Sequence, residues 1–327
     1  MSEYRVASLF AGIGGICLGF KQAGARIVYA NEIDSYACMT YRQNFDGAPY
    51  LIEGDVYKQT LEGRTDIDII AAGFPCQAFS IAGYRKGFAD DRGVLYTQVD
   101  RMINECHPKA VFLENVKNLM THDKGHTYQI IKNALIDSGY VVTQAVLNTM
   151  DYGNIPQNRE RIYVVAFRKE DDGNCPAMEH FRYPSPQPLT CTIHDIIDPH
   201  VKQKDEFYYQ PTHKYYDQLN ESMTNPDTVY QWRRVYVREN KSNVCPTLTA
   251  NMGTGGHNVP LIRDDYGIRK LTPEECLRFQ GFPDNFTFPN IAKSHMYKQA
   301  GNSVSVPIIK QIAENMISAM DQSENRE

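Results

Sequence analysis

The chain has 327 residues, of which 42% are hydrophobic, 22% are charged and 11% are aromatic. This balance is typical of a folded globular protein, and it excludes disordered, collagen-like and coiled-coil sequences. The 34 basic and 39 acidic residues give a formal net charge of -5. A polyanionic partner would therefore have to be held by a local basic patch.

The sequence contains no signal for a membrane or for secretion. No apolar run approaches the roughly eighteen residues of a membrane span, and the N-terminal stretch MSEYRVASLF lacks the pattern of a signal peptide. The 8 cysteines include no C-x-x-C pair, which is the usual mark of a zinc ribbon or a thioredoxin-like site. We therefore expect a cytoplasmic protein with reduced, mostly buried thiols and no metal.

The first half of the chain alternates between strand-like and helix-like patterns. Short apolar runs predict strands at residues 5–10, 27–30, 67–72, 110–113, 140–147 and 162–167. Longer amphipathic stretches predict helices at residues 16–23, 35–44, 95–105 and 127–138. Strands separated by helices form βαβ units, so we predict an α/β fold with a doubly wound, mainly parallel sheet.

The pattern changes after about Phe181, where prolines interrupt a polar, tyrosine-rich stretch. We predict a large domain over residues 1–185 and a smaller, irregular strand-and-loop domain over residues 186–273. A helix should begin at Thr272, because Glu275 completes a capping box there. We expect residues 274–327 to form a hinge and a C-terminal helix that returns to the large sheet.

The first candidate site is a glycine-rich turn between the first strand and the first helix. It reads Phe10-Ala11-Gly12-Ile13-Gly14-Gly15, and its glycines would let a ligand approach the backbone at the helix start. Glu32 ends the second strand, where a carboxylate can accept both hydroxyls of a ribose. Asp55 follows the third strand and could accept from an adenine amino group. These features predict an adenosine-containing cofactor, although a glycine turn can also be a simple connection.

The second candidate site is the loop Gly73-Phe74-Pro75-Cys76-Gln77-Ala78-Phe79-Ser80, directly after the fourth predicted strand. A cysteine on a loop at the carboxyl edge of an α/β sheet can reach a substrate as a thiolate. The other cysteines are better explained as buried structural thiols. The loop continues with glycines and basic residues, which can close on phosphates or simply be solvated.

Two further motifs follow, and the first ends a strand at the same predicted edge. Glu114 ends the next strand, where it is a candidate proton donor or hydrogen-bond partner for a ring nitrogen. Arg159 and Arg161 stand two residues apart, so strand alternation would place both on one face, able to bind an anion or a carbonyl oxygen together. Each arginine taken alone would also fit a structural ion pair.

The motifs occur in a characteristic order: FAGIGG, NEID, GDV, GFPCQAFS, ENV, QNRERIY, RKLTPEECLRFQGFPD and YKQAGNSVSVP. This series resembles the C5-cytosine DNA methyltransferases of bacterial restriction–modification systems, over residues 4–170 and 268–320. The resemblance implies a Rossmann-like methyltransferase domain that binds S-adenosylmethionine, and a target-recognition domain at residues 186–273. It also implies a nucleophilic Cys76 that adds to C6 of a flipped-out cytosine, with Glu114 at N3 and Arg161, supported by Arg159, at O2.

The resemblance assigns the remaining site residues to two groups. The implied cofactor shell consists of Phe10, Gly12, Gly14, Glu32, Ile33, Asp55, Val56, Pro75, Leu95, Asn302, Ser303 and Val304. The expected DNA contacts are Gln77, Ser80, Arg85, Lys86, Arg92, Arg233, Arg234, Arg238, Thr247, Thr249 and Asn251. Three positions depart from the family pattern: Ser8 stands where aspartate is usual, Ile33 stands where an aromatic residue often covers the adenine, and Asn154 adds a residue before Arg159.

The recognition segment supplies the basic patch that the net charge requires. Between Thr228 and Arg263 it has five basic residues and one acid, Glu239, for a local charge of +4. A single arginine there is more commonly a phosphate contact than a base reader. The segment weakly suggests GGNCC or GGWCC targets.

We therefore predict a monomeric DNA (cytosine-5)-methyltransferase that shields host DNA from a cognate restriction endonuclease. The alternatives are a transfer-RNA methyltransferase of the same family and a catalytically silent DNA-binding relative. A nicotinamide oxidoreductase would not explain the PCQ and ENV motifs.

Overall fold

The structure is a computed structural model that describes residues 3–75, 95–233, 235–240, 243–254 and 258–324. It divides into two compact units. The first consists of Met1–Leu147, Glu160–Ser185 and Ile308–Glu327, and the second of Asn148–Arg159 and Pro186–Pro307. Residues 148–159 and 274–307 thus belong to the second unit, whereas the sequence-based boundaries placed them outside the recognition domain.

The strands, numbered in chain order, are short. They are β1 (Arg5–Leu9), β2 (Arg26–Glu32), β3 (Leu51–Glu53), β4 (Ile69–Ala72), β5 (Ala110–Val116), β6 (Tyr140–Asn148), β7 (Gln157–Asn158), β8 (Glu160–Arg168), β9 (Tyr230–Arg233), β10 (Tyr236–Glu239), β11 (Cys245–Pro246), β12 (Leu261–Asp264) and β13 (Gly267–Lys270).

The α-helices are numbered in the same way. They are α1 (Gly15–Gln22), α2 (Ser35–Asn44), α3 (Leu95–Cys106), α4 (His126–Asp137), α5 (Thr149–Tyr152), α6 (Pro176–His180), α7 (Ile193–Ile196), α8 (Tyr216–Ser222), α9 (Pro273–Arg278), α10 (Lys293–Asn302) and α11 (Val306–Glu324).

The first unit is built on a seven-stranded sheet in the order β3-β2-β1-β4-β5-β8-β6. The first five strands pair in parallel, and β8 pairs antiparallel with β5. The predicted α/β fold with a mainly parallel sheet is confirmed. Because the chain leaves β1 on one side for β2 and returns on the other side for β4, a crevice forms beyond the carboxyl ends of β1 and β4. This edge carries the candidate site.

The central strands could be predicted from the sequence because their residues are buried. All four residues of β4 are buried, as are six of the seven in β5, so both read as continuous apolar runs. The C-terminal helix α11 belongs to this unit from Ile308 onward. It packs closely on α1, since a Cβ atom at Gly19 would lie 2.5 Å from Cγ2 of Ile309.

The second unit contains a four-stranded sheet in the order β10-β9-β12-β13 and a parallel pair of β7 with β11. The capping box predicted at the start of α9 is confirmed: Thr272 accepts from the backbone of Glu275, and Glu275 accepts from that of Thr272. The buried guanidinium of Arg269 donates to Asp264 at 2.6 Å and to Glu275 at 2.7 Å. This ion network fixes β13 to the start of α9.

Across the described ranges, no helix combines the length and the apolar character that a bilayer crossing requires. The seven cysteines in that part of the chain carry free thiols, and five of them are buried.

Candidate active site

The glycine-rich turn between β1 and α1 combines backbone strain with open space. Phe10 has a φ of 54°, Gly12 of 57° and Gly14 of 93°, all in the left-handed region where glycine is favoured. A Cβ atom at Gly14 would lie 2.4 Å from the Phe45 ring, so this glycine is required by packing. A Cβ atom at Gly12 would meet nothing within 4 Å. Gly12 therefore leaves its backbone open to a ligand.

The carboxylate of Glu32 lies beside this turn. It accepts hydrogen bonds at 2.8 Å from the backbone N–H groups of Gly12, Ile33 and Asp34. The carboxylate thereby joins the end of β2 to the turn after β1. It retains acceptor capacity, because an ionised carboxylate offers about four lone-pair positions. The neighbouring Ile33 is 66% exposed, and its contact with a cofactor stays a prediction.

Asp55 stands beyond the end of β3, next to the end of β2. Glu32 and Glu53 are directly paired in the parallel register, and Asn31 donates to the carbonyls of Ile52 and Gly54 at 3.1 and 3.0 Å. Asp55 caps the next 3₁₀ turn by accepting from the backbone of Tyr57 at 3.0 Å. Its neighbour Val56 is buried. Two carboxyl groups on adjacent strand ends beside an open glycine turn fit an adenosine-containing ligand.

The ends of β4 and β5 are joined by a side chain that the sequence reasoning did not single out. The Asn115 amide donates to the carbonyl of Phe74 at 2.9 Å, and its oxygen accepts from the backbone of Val116 at 2.8 Å. Asn115 is 4% exposed, so the bond to Phe74 is shielded from water. It fixes the backbone just before Pro75, which is exposed. The only signal for this role was the position of Asn115 inside the ENV motif.

Glu114 and Arg161 form an ion pair at the same edge. Nε of Arg161 lies 3.2 Å from Oε1 of Glu114, and the two side chains are 13% and 9% exposed. Gly73 faces this pair, since a Cβ atom there would lie 3.7 Å from Oε2 of Glu114. The register places Arg161 at the carboxyl edge of β5, where Glu114 also lies, because Val116 pairs with Arg161. A poorly hydrated carboxylate beside a fixed guanidinium can hold a polar ring.

Arg159 lies between β7 and β8, outside both strands, and its common face with Arg161 stays a prediction. Arg159 is 2% exposed and belongs to the second unit. There its guanidinium donates to the carbonyl of Leu248 at 2.9 Å and to that of Ser303. Its role in this unit is to hold two loops together.

The inserted residue Asn154 also has a local explanation. Its φ is 48°, and its side-chain oxygen accepts from the backbones of Thr190 and Cys191 at 2.8 and 3.1 Å. Asn154 therefore ties the segment before Arg159 to the start of the long second-unit segment.

The remaining members of the implied cofactor shell fall in both units. Leu95 begins α3 and packs against the core of the first unit. Asn302 ends α10 and is exposed, whereas Ser303 and Val304 are buried, and all three belong to the second unit. A contact of these residues with a cofactor stays a prediction.

Some of the residues expected to contact DNA in the second unit are exposed, and one is held by a hydrogen bond within that unit. Arg233, Arg238, Thr249 and Asn251 are exposed. In contrast, the hydroxyl of Thr247 donates to the carbonyl of Asn158 at 2.6 Å, which fixes the loop after β11.

Arg263, one of the five basic residues of the recognition segment, is held by hydrogen bonds within the second unit. Its guanidinium donates to the carbonyl of Met223 at 2.6 Å and to the side chain of Asn220 at 2.7 Å. These contacts cap the C-terminal end of α8 and fix the position of the guanidinium.

Several predicted site residues lie outside the described part of the chain. They are Cys76, Gln77, Ser80, Arg85, Lys86, Arg92 and Arg234.

Comparison with known proteins identifies the family. A family model described as C-5 cytosine-specific DNA methylase matches residues 4–318. The type II methyltransferase M.Bsp6I of Bacillus sp. (strain RFL6) is 54% identical over 319 residues, which cover 97% of this chain and 99% of that protein. M.HhaI of Haemophilus parahaemolyticus is 37% identical, over 98% of this chain and 96% of that protein. The chain therefore belongs to the C-5 cytosine-specific DNA methylase family.

Solved structures support the same fold at lower sequence identity. A DNMT2 structure from Spodoptera frugiperda has a TM-score of 0.73 at 18% identity and covers 96% of this chain and 99% of that one. A putative DNA modification methyltransferase encoded within an E. coli prophage has a TM-score of 0.68 at 23% identity, covering 97% and 99%. The predicted family is confirmed, and the family model specifies DNA rather than transfer RNA.

Proposed function

We propose that this chain transfers a methyl group from S-adenosylmethionine to C5 of a cytosine in a specific duplex DNA site. The observation that carries the proposal is the arrangement at one sheet edge. The Glu114–Arg161 pair lies beside Gly73, and Asn115 fixes the carbonyl of Phe74, two residues before Cys76. A carboxyl group and a cation lie together at this edge, and we assign the nucleophile to Cys76, which follows Phe74 by two residues in the sequence.

The nucleophile needs assistance because C6 of cytosine is a weak electrophile. A free thiol has a pKa of about 8.5, so only a few per cent is thiolate at neutral pH. When the sulfur of Cys76 bonds to C6, electron density moves through the ring toward N3 and O2. Glu114 holds N3 and the exocyclic amine, and Arg161 holds O2, so each contact strengthens as the ring charge develops.

The remaining steps methylate C5 and restore the ring. The sulfur–C6 bond raises the nucleophilicity of C5, which forms a carbon–carbon bond to the incoming methyl group. Bound S-adenosylmethionine would supply that methyl group as an electrophile from its sulfonium sulfur, whose bond to the methyl carbon breaks so that S-adenosylhomocysteine leaves. Loss of the C5 proton to a base then expels the thiolate of Cys76 and restores the aromatic ring. The product is 5-methylcytosine, and the cysteine returns unchanged.

The residues at the ends of β1, β2 and β3 would form the binding site for the cofactor. The open backbone at Gly12 would receive the cofactor, the Glu32 carboxylate its ribose and Asp55 its adenine amine. Ile33 and Val56 would provide apolar contacts to the adenine ring.

Duplex DNA must release the target base before this chemistry can occur. C5 and C6 are inaccessible in a stacked helix, so the base has to be flipped out at a cost of a few kcal/mol. The relatives are named type II methyltransferases, and we extend the proposal to a cytoplasmic, monomeric enzyme whose site is also cut by a cognate endonuclease.

Covalent trapping tests the proposal directly. A duplex with 5-fluorocytosine at the target should form a stable adduct in the presence of S-adenosylmethionine, because fluorine cannot leave as a cation. Mass mapping should place the adduct on Cys76, and Cys76→Ser should abolish both the adduct and methyl transfer. The half-buried Cys191 offers a matched control, since Cys191→Ser should form the adduct normally. An adduct that survives Cys76→Ser would refute the mechanism.

A further inference from the structure

A short segment carries two of the residues assigned to the adenine end of the cofactor. Asp55 follows β3, which has only 3 residues, and Val56 begins a 3₁₀ turn that ends at Lys58. Elements this short form few hydrogen bonds of their own. The positions of Asp55 and Val56 therefore depend on contacts between this turn and other parts of the chain.

One arginine of α3 supplies such contacts. Nη2 of Arg101 donates to the carbonyl of Gln59 at 2.8 Å and to that of Val56 at 3.4 Å. Its Nε donates to the side-chain oxygen of Gln98, one turn earlier in the same helix, at 3.0 Å. A planar guanidinium has several donors in a fixed geometry, so it can bind several acceptors at once. Arg101 is thus held on its own helix while it binds both ends of the turn.

A carboxylate one turn further along α3 completes the arrangement. Glu105 accepts from Nη1 of Arg101, from the backbone of Leu61 at 2.7 Å and from the hydroxyl of Thr60 at 3.0 Å. Burial alone would raise the pKa of this carboxyl group, but these hydrogen bonds outweigh it, and the net effect lowers the pKa. We call Arg101 and Glu105 the α3 clamp, because together they hold residues 56–61 against one helix.

The same helix carries another member of the implied cofactor shell. It begins at Leu95, which packs against the core that contains Val56. Val56 is 4% exposed, so its side chain is fixed by this core and its carbonyl by the clamp. Neither Arg101 nor Glu105 lies in any of the motifs that carry the family resemblance. The clamp therefore joins two shell residues through side chains that have no assigned role.

We propose that Arg101 is a positioning residue for the adenine end of the cofactor, because its clamp with Glu105 fixes the turn that carries Asp55 and Val56. Arg101 acts through this turn and makes no contact with the cofactor itself. The inference rests on the proposed function for the identity of the cofactor. Loss of Arg101 should weaken binding through the adenine and leave the chemistry at the cytosine ring unchanged.

Calorimetry with two ligands measures this role in the full chain without DNA. S-adenosylhomocysteine has the adenine amine that Asp55 would bind, and S-inosylhomocysteine has a carbonyl oxygen in its place, so wild type should prefer the first. Arg101→Gln should bind S-adenosylhomocysteine about tenfold or more weakly, since a displaced Asp55 loses a hydrogen bond to a charged acceptor. It should also lose most of the preference between the ligands. Asp55→Ala should lose this preference, and Arg101→Gln added to it should change the preference no further.

Arg64→Gln is the matched control. The side chains of Arg64 and Arg101 are 35% and 33% exposed, and each pairs with a carboxylate, which for Arg64 is that of Asp66. Arg64 donates to Asp66 and to the carbonyl of Val28, outside the turn. Arg64→Gln should therefore keep the wild-type preference between the two ligands, even where its melting temperature falls.

Steady-state methyl transfer gives a second readout. In Arg101→Gln the KM for S-adenosylmethionine should rise about tenfold or more, whereas kcat at saturating cofactor should stay within about twofold of wild type. A general loss of structure would lower kcat as well. If Arg101→Gln does not fold, Arg101→Lys replaces it in both measurements, because lysine keeps the charge and loses the planar geometry.

The outcomes separate this inference from the proposed function. Wild-type protein that prefers S-adenosylhomocysteine but methylates no cytosine would refute the proposed function, and the calorimetric comparison would still decide the role of Arg101. Wild-type protein with equal affinity for the two ligands would overturn the inference. So would an unchanged preference in Arg101→Gln, an equal loss of preference in Arg64→Gln, or a lower kcat without a higher KM.

Discussion

At the scale of single residues, the site depends on a carboxylate that is almost removed from water. Glu114 is 7% exposed, and burying a carboxylate is costly unless a partner compensates for it. Arg161 provides that compensation at 3.2 Å. The pair is therefore stable without substrate, and it is already positioned when a polar ring arrives.

Glu114→Gln tests the carboxylate without changing its shape. We expect kcat for methyl transfer to fall by about 10² or more, because an amide cannot deliver a proton or balance the ring charge. Cofactor binding, measured by calorimetry, should stay within about twofold. Glu160→Gln is the control, since Glu160 is exposed and pairs only with Lys117 among described side chains. Comparable activity of Glu114→Gln and wild type would contradict the proposed role.

A second residue-scale prediction concerns stability and pH. Burial alone would raise the pKa of Asp68, but the hydrogen bonds from the backbone and side chain of Arg5 outweigh it, and the net effect lowers the pKa. A carboxyl group with a lowered folded pKa stabilises the protein above its unfolded pKa of about 4. That contribution is lost as the pH falls through the folded value.

Asp68→Asn should therefore lower the melting temperature at pH 7, and the difference from wild type should shrink as the pH falls from about 4 toward 3. Thermal melts followed by circular dichroism at several pH values measure this. Asp171→Asn, at an exposed position, should show no such trend. A difference in melting temperature that is constant with pH would exclude a contribution of Asp68 ionisation to the stability of the fold.

At the scale of elements, two glycines decide how the loop at residues 249–254 lies on α10. A Cβ atom at Gly301 would lie 2.1 Å from the carbonyl carbon of Thr249, and one at Gly253 would lie 2.4 Å from the carbonyl oxygen of Ser294. These distances leave no room for a methyl group. The loop that carries Thr249 and Asn251 is therefore placed by the absence of two side chains.

Gly301→Ala should displace this loop. Alanine is favoured over glycine in a helix by about 1 kcal/mol, but the overlap with Thr249 is with backbone, which cannot turn aside. We expect a lower melting temperature and weaker DNA binding, measured by circular dichroism and anisotropy. Ser294 lies in the same helix and is exposed, so the Ser294→Ala protein should behave as wild type. A Gly301→Ala protein more stable than wild type would show that the loop is not packed there.

The elements also show what the sequence could reveal. The predicted helix at residues 35–44 matches α2, and the buried strands β4 and β5 were found because their apolar runs are continuous. The second unit was predicted only as irregular, since its strands have two to four residues and no sustained period. Strand alternation could not reveal that Arg159 lies between two short strands, where its guanidinium donates to the carbonyl of Leu248. Asn115 was overlooked because its bond is to a distant backbone carbonyl.

At the scale of the whole molecule, neither unit is a continuous stretch of chain. The segment Asn148–Arg159 completes the second unit from within the first half of the sequence. It supplies β7 as the partner of β11, and Gln157 and Arg159 satisfy the backbone groups of Leu248. Without this segment, those buried groups would lose their partners, at about 1–3 kcal/mol each.

A fragment of residues 186–307 should therefore fold poorly on its own. Joining residues 148–159 to it through a glycine–serine linker should restore a cooperative urea transition, followed by Trp232 emission. A version of the linked fragment with Arg159→Ala should unfold at lower urea. Identical transitions with and without residues 148–159 would show that this segment is dispensable.

The interleaving of the two units also bears on synthesis at the ribosome. The first unit is complete only once α11 has been synthesised. The buried residues Ile308, Ile309 and Ile312 of this helix leave the ribosome after the whole of the second unit. A nascent chain halted before residue 308 would expose the apolar surface that this helix covers, and we expect quality-control proteases to remove it. Premature termination would then yield degraded polypeptide rather than a half-built enzyme that competes for chromosomal sites.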